Sequence, residues 1–331
     1  MRLVQFREEN DATVVAVVEG AVLRVLNEVA TTYELARIAL AEGNGMAAAA
    51  QRRLSTRSHD YAAIESERRL LPPVTHPDPS RLLVTGTGLT HAGSAQARDQ
   101  MHQKPANPEE PISDSMKMFR LGLAAGKPTP GQIGAQPEWF YKGDGDCLLA
   151  AGEPITIPCF ALAAGEETEI AGVYIVDDAG SPWRIGFALA NDFSDHVTEQ
   201  QNYMYIAHSK LRQCPLGPEL LVGDLPQDVR GESRLIRGSK VIWRGAFASG
   251  EANMSYSIAN LEHHHFKYAA FRRPGDAHVH LFGCPVLSFA AGVHPQPGDE
   301  FEAHVPAFGR PLRNALCAEE RADRLVAVGV L

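Results

Sequence analysis

The stretch Glu167-Thr168-Glu169-Ile170-Ala171-Gly172-Val173-Tyr174-Ile175-Val176, followed by Asn191-Asp192-Phe193-Ser194, decides how this chain is read. Its apolar, β-branched tail has the composition of a strand, and a strand turns successive side chains to opposite faces. Glu167 and Glu169 therefore point the same way. Two like charges on one half-buried face repel, and each resists losing its water. A hard divalent cation relieves both penalties, and an all-oxygen donor set suits magnesium better than zinc, with manganese or calcium as substitutes. Asp177-Asp178-Ala179-Gly180 has the composition of a hairpin turn, which would return the chain alongside itself and bring Asp192 in as a third ligand.

The wider composition is that of an ordinary globular protein: 331 residues, 44% hydrophobic and 21% charged. A formal net charge of −9 argues against a general nucleic-acid or anionic-membrane surface. The five cysteines form no Cys-x-x-Cys pair, so neither a zinc knuckle nor a disulfide framework is expected. The opening Met1-Arg2-Leu3-Val4-Gln5-Phe6-Arg7 carries charges where a signal peptide needs an apolar core, and a cytoplasmic location is expected.

Residues 1–26 read as three short strands, Leu3–Phe6, Thr13–Val18 and Val22–Leu26. Thr31-Thr32-Tyr33-Glu34 is a capping-box start for a helix through Ala41. Further helices are expected over Ala47–Leu54 and Tyr61–Leu70. The prolines of Pro72-Pro73-Val74-Thr75-His76-Pro77 then mark a boundary near residue 76. The expected organisation is a small α/β N-terminal domain over 1–76 and a mainly β catalytic body over 80–331, an α+β protein in all. The polar, proline-rich segment 103–118 reads as a loop. His263-His264-His265 splay around a helix and His278 and His280 share a strand face without a third ligand, so neither group reads as a metal site.

A series of short motifs runs in order through the body. It begins with Leu82-Leu83-Val84-Thr85-Gly86-Thr87-Gly88 leading to His91, then Pro137-Glu138-Trp139-Phe140-Tyr141-Lys142 and Gly152-Glu153-Pro154. Glu167-x-Glu169, Asn191-Asp192-Phe193-Ser194, Cys214-Pro215-Leu216-Gly217-Pro218 and Gly250-Glu251-Ala252-Asn253 follow, and Pro297-Gly298-Asp299 and Gly309-Arg310-Pro311-Leu312-Arg313-Asn314 close the run. Taken together over residues 82–316, this order resembles the fumarylacetoacetate hydrolase superfamily. The resemblance implies mixed, bent β-sheets around a metal cleft, a homodimer, and chemistry on a small 2-oxo acid. It also implies magnesium held by Glu167, Glu169 and Asp192, chelating the acid and stabilising the enolate formed beside it.

Which reaction follows is read from departures within the motifs. The hydrolases of this superfamily place a glutamate three residues after a histidine. Here Ser94 stands three residues after His91, and Ser94-Ala95-Gln96-Ala97-Arg98 is more similar to the Ser-x-x-Ala-Arg of the branch that dehydrates 2-keto-3-deoxy sugar acids. Dehydration of a pentonate-type acid in sugar-acid catabolism is therefore the favoured expectation, with Ser94 and Arg98 at the substrate. Hydrolysis of an acylpyruvate and keto-acid binding without turnover are the alternatives. The position where the resemblance calls for a lysine is His208, with Lys210 two residues on; on a strand the two would share a face, as base and cation. Lys142 ends an aromatic strand and needs an acid or a substrate carboxylate to justify it. Near the C-terminus a family threonine is absent and Ser288 is its nearest substitute at the substrate.

Overall fold

The computed structural model of the chain describes residues 1–93, 95–96 and 113–331. The hairpin expected from the sequence lies at its centre. Thr168–Val176 pairs antiparallel with Pro182–Asn191, in register from Thr168↔Asn191 to Val176↔Pro182 with one bulge. The turn is closed by the Asp177 carboxylate, which accepts from the N–H groups of Ala179 and Ser181 at 2.9 and 2.8 Å. Every residue of Thr168–Val176 is buried, because this strand has neighbours on both edges and layers on both faces.

On one side the sheet continues through Ala277–Leu281, Leu82–Gly86 and Phe140–Gly143. On the other it passes through Leu220–Leu221 to the first strand, Arg2–Arg7, and on through Thr13–Glu19, Val22–Leu26 and Leu54–Asp60. The N-terminal strands thus extend the same sheet, in register Arg2↔Leu221 and Leu3↔Leu220. A second, five-stranded sheet is ordered Lys240–Ser249, Val229–Arg237, Asp299–His304, Leu312–Ala318 and Ile155–Ile157. The result is the mixed, mainly β fold expected above.

Strand alternation sorts the central residues between two cores. Ala171, Val173 and Ile175 face Leu35, Ala36, Ala39 and Ala49 of the helices Thr32–Ala41 and Met46–Arg52. Ile170, Phe187 and Leu189 face Phe247, Met254, Tyr256 and Ala303 on the other side. The first helix begins as its sequence dictates, with Thr31 Oγ1 accepting from the Glu34 N–H at 3.0 Å. Two expected helices are shorter than their patterns. The second ends at Arg52, and Leu54–Asp60 forms an edge strand instead, paired with Val22–Leu26. The third ends at Ser66, leaving Leu70–Leu71 to pair with the first strand. Leu54–Asp60 escapes sequence reading because an edge strand with two wet faces carries no alternation.

Of the segment 103–118 expected as a loop, residues 103–112 lie outside the described residues and the rest enters the helix Asp114–Ala125, capped by Ser113; the histidines are a further departure. Helix Ile258–Phe266 brings His265 against His278 and His280 on the buried strand Ala277–Leu281. His265 stacks on His280 with centroids 4.5 Å apart, and its Nε2 lies 3.1 Å from His278 Nδ1. A third histidine is present after all, but face-to-face stacking keeps the rings from converging on one ion. Burial, with a neighbouring histidine second, holds His265 down at about 2 and His278 at about 3, and lowers His280 in the same direction.

These folded values lie below the ordinary one near 6.5, so the unfolded chain takes up protons that the folded chain refuses. The associated stability is fully present above about pH 6.5 and is lost as pH falls toward the folded values, by up to about 1.4 kcal/mol per pH unit for each imidazole. Urea unfolding of the parent and of His265→Phe between pH 7 and 5 should show a shallower acid loss in the variant; identical slopes would count against this account.

Candidate metal centre

Three carboxylates meet at one end of the central hairpin. Glu167 lies just before its first strand, Glu169 at that strand's start, and Asp192 just beyond the end of its second. The Asp192 N–H donates to the Glu167 carbonyl at 2.9 Å, so the two residues sit directly across from each other. One oxygen from each of Glu167, Glu169 and Asp192 lies within 4.8 Å of the others, and among the described residues this is the one such group of potential metal ligands. All three side chains are buried.

Two ammonium groups are set into the same cluster. Lys142 Nζ is 2.8 Å from Asp192 Oδ1, and it donates to the carbonyls of Phe193 and Lys210 at 2.7 and 3.0 Å. The two carbonyls take hydrogen bonds from the ammonium, and the contact with Asp192 is an ion pair; among the described residues both Asp192 carboxylate oxygens lack a hydrogen-bond donor. Lys210 Nζ lies 2.8 Å from Asp192 Oδ2 and 2.5 Å from Glu167 Oε1, and donates to Ser194 Oγ at 2.9 Å. Glu167 Oε1 is also 2.9 Å from His196 Nε2. Lys210 also lies 3.6 Å from a fourth buried carboxylate, Glu199, and among the described residues neither lysine pairs with Glu169. Burial first, then the charges of Asp192 and Glu167, raise the Glu169 carboxyl well above its usual range. His196 moves the other way from what burial alone would do: desolvation disfavours its cation, but Glu167 and Glu199 together raise it above the ordinary value.

The donor set fits a hard divalent cation: three buried, convergent carboxylates, both Asp192 oxygens without a hydrogen-bond donor among the described residues, and no sulfur or imidazole in the inner cage. Glu167, Glu169 and Asp192 would hold it, with His196 and the two lysines orienting the ligands from behind.

Other residues singled out in the sequence fall as follows. His91 is buried, with Nδ1 2.8 Å from Thr90 Oγ1 and Nε2 3.1 Å from Ser249 Oγ. Thr90 donates its own proton to the Phe282 carbonyl at 2.6 Å. Its oxygen therefore accepts from Nδ1–H, and Nε2 is the acceptor facing the Ser249 hydroxyl. Burial lowers His91 to about 4, so this neutral form prevails at neutral pH. Gly283 links His91 to the cluster: its N–H donates to Glu169 Oε2 at 2.7 Å, and a Cβ there would lie 2.1 Å from Thr90 Oγ1.

The strand expected for His208 and Lys210 is a correction. Both lie on the short helix Ile206–Lys210, where residues two apart face different directions. Lys210 is fully buried in the cluster; His208 is exposed, its ring against Tyr205. Ser288 is buried and bonds to Glu166. Ser94 and Arg98 lie outside the described residues. Sequence reading missed His196 and Glu166, although both adjoin motifs it had found. The polar run Asn191–His196 after a buried strand was the available signal, since polar residues at such a strand end need a reason to be buried.

No protein-family model and no curated protein sequence matches the chain. Its fold does match solved structures. A 2-keto-3-deoxyarabinonate dehydratase superposes with a TM-score of 0.70 at 15% identity, covering 97% of this chain and 100% of that one. The 2-keto-3-deoxy-D-arabinonate dehydratase complexed with magnesium and 2,5-dioxopentanoate gives 0.69 at 15% identity with the same coverage. A 5-carboxymethyl-2-hydroxymuconate delta-isomerase from Mycobacterium smegmatis gives 0.60 at 18% identity, covering 96% of this chain and 100% of that one. At such identities the likeness establishes the fold.

Two substitutions probe the cluster. Glu169→Gln should weaken manganese binding, read by calorimetry, by more than the roughly 10–100-fold typical of an outer-shell change. Lys210→Met removes one partner of a buried ion pair and should cost the metal-free chain about 3–5 kcal/mol in urea unfolding. Manganese should restore part of that loss, because a cation can neutralise the carboxylates Lys210 had served.

Proposed function

We propose that this chain is a magnesium-dependent dehydratase of a 2-keto-3-deoxy sugar acid, a member of the fumarylacetoacetate hydrolase superfamily. The observation that carries the reading is the convergence of Glu167, Glu169 and Asp192, backed by Lys142 and Lys210, on a fold shared along 97% of the chain with an enzyme of that activity. A bound magnesium ion would supply a site for the substrate carboxylate and keto oxygens and stabilise negative charge developing there.

The chain's own residues divide the remaining work. A bound divalent cation, beside the buried ammoniums of Lys142 and Lys210, would attract an anionic 2-oxo acid. The site is therefore matched to an acid substrate. Lys142 donates to two carbonyls and pairs with Asp192, and Lys210 donates to Glu167 and Ser194 and pairs with Asp192, so both lysines serve as held charges. His91 is different: burial keeps it a neutral imidazole, with Nδ1 directed to Thr90 and Nε2 to the Ser249 hydroxyl. We assign it the removal of the proton from C3, with the C4 hydroxyl departing as water; the net change is loss of one water. The exposed ring of His208 leaves it outside this scheme.

A second copy of the chain is the proposed partner, and the exposed C-terminal Leu325, Val326, Val328 and Val330 support it as apolar surface that assembly could cover. No helix among the described residues is long and apolar enough to cross a membrane; a cytoplasmic site of action remains part of the proposal.

Incubation of the protein and magnesium with 2-keto-3-deoxypentonates should yield the dehydrated 2-oxo acid without pyruvate. Pyruvate from a 2,4-diketo acid would instead identify a carbon–carbon hydrolase, and binding of pyruvate or oxalate without turnover a non-catalytic member. In the active enzyme His91→Gln should abolish most of kcat. The acid limb of the kcat/KM profile should fall near pH 4, the folded value of His91, and a limb near 6.5 would remove it as the base.

A further inference from the structure

Glu166 is a buried carboxylate that the metal reading leaves without a task. It is 1% exposed, and among the described residues no lysine or arginine pairs with it. Burial raises its carboxyl above the usual range. Both of its oxygens are taken by one residue from a distant segment: the Ser288 N–H donates to Oε1 and the Ser288 hydroxyl to Oε2, each at 2.6 Å. Two bonds from one residue to one carboxylate fix rotation as well as position. Because the hydroxyl proton of Ser288 goes to Glu166, it is not free for a substrate oxygen.

The segment that Ser288 belongs to is fastened at two further points. The Gly283 N–H donates to Glu169 Oε2 at 2.7 Å. The Phe289 ring lies 5.1 Å from that of His196, whose Nε2 meets Glu167. The carboxylates at 166, 167 and 169 thus all hold residues 283–289, directly or through one ring. The turn beyond closes at Gly292, whose φ of 70° is in the left-handed region. A buried, unpaired carboxylate is expensive to fold, which makes a purely incidental contact a poor explanation.

We propose that Glu166 is a positioning residue. With Ser288 it anchors the Gly283–Gly292 segment as a wall of the 2-oxo acid site, so it governs how tightly the acid is held more than how fast it reacts. This rests on the 2-oxo acid reading above.

The test compares the parent with Ser288→Ala, Glu166→Gln and Ser288→Thr, each first shown to be folded by circular dichroism. Ser288→Ala and Glu166→Gln should raise KM about tenfold with kcat within about twofold, and Ser288→Thr, which keeps the hydroxyl, should return KM to near the parent value. Manganese affinity by calorimetry should be unchanged in all three. A fall in kcat at constant KM, or equal KM in alanine and threonine variants, overturns the proposal. Should neither parent nor variants turn over any 2-oxo acid, the dehydratase reading fails by itself. Oxalate affinity then decides: weakened by alanine and kept by threonine supports the wall, and equal affinities overturn it.

Discussion

Burial of three carboxylates within 4.8 Å of one another is the constraint on which the rest of this structure depends. Such a cluster is unstable alone, since each acid loses water and faces like charges. Lys142 and Lys210 make it tolerable. Each ammonium lies 2.8 Å from a different oxygen of Asp192, and each is held by further oxygens from the chain. Compensation is incomplete: among the described residues Glu169 pairs with neither lysine, and burial with the charges of Asp192 and Glu167 raises its carboxyl well above the usual range. That shortfall is what a divalent cation would correct, and it distinguishes a ligand site from a closed ion-pair network.

The surrounding fold has the rigidity such a cluster demands. Its ligands come from the two strands of one hairpin, whose register the neighbouring strands pin on either edge. A slip by one residue would turn Glu167 and Glu169 to the opposite core, a loss large enough to forbid it. Lys142 arrives from the strand at the sheet's far edge and Lys210 from a short helix, so distant segments must fold before the charges balance. Cation and carboxylate placement is thereby coupled to completion of the whole body.

Much of this was legible in the residues. The hairpin, the alternation and the carboxylate pair follow from local spacing, and Lys142 could be read because a charge at the end of Trp-Phe-Tyr lacks a local reason. Where sequence reading failed, the missing information was non-local. Leu54–Asp60 is a strand because Val22–Leu26 offers it an edge, against a polar pattern that says nothing. His208 and Lys210 were placed on a strand by parity; a one-turn helix separates them, burying one and exposing the other. His265, His278 and His280 meet only because helix Ile258–Phe266 packs on the strand beneath.

By itself, the order of residues determined the strand periods, the turn at Asp177–Gly180, and which acids could share a face, since these depend on neighbours two to four positions apart. Only the tertiary structure decided which cations answer those acids and which histidine is held neutral by burial. Both outcomes depend on groups far apart in sequence, Lys142 with Asp192 and His91 with Ser249 among them, brought together by packing. Charge compensation and protonation state are properties of the space around a side chain, and that space exists only once the chain has closed on itself.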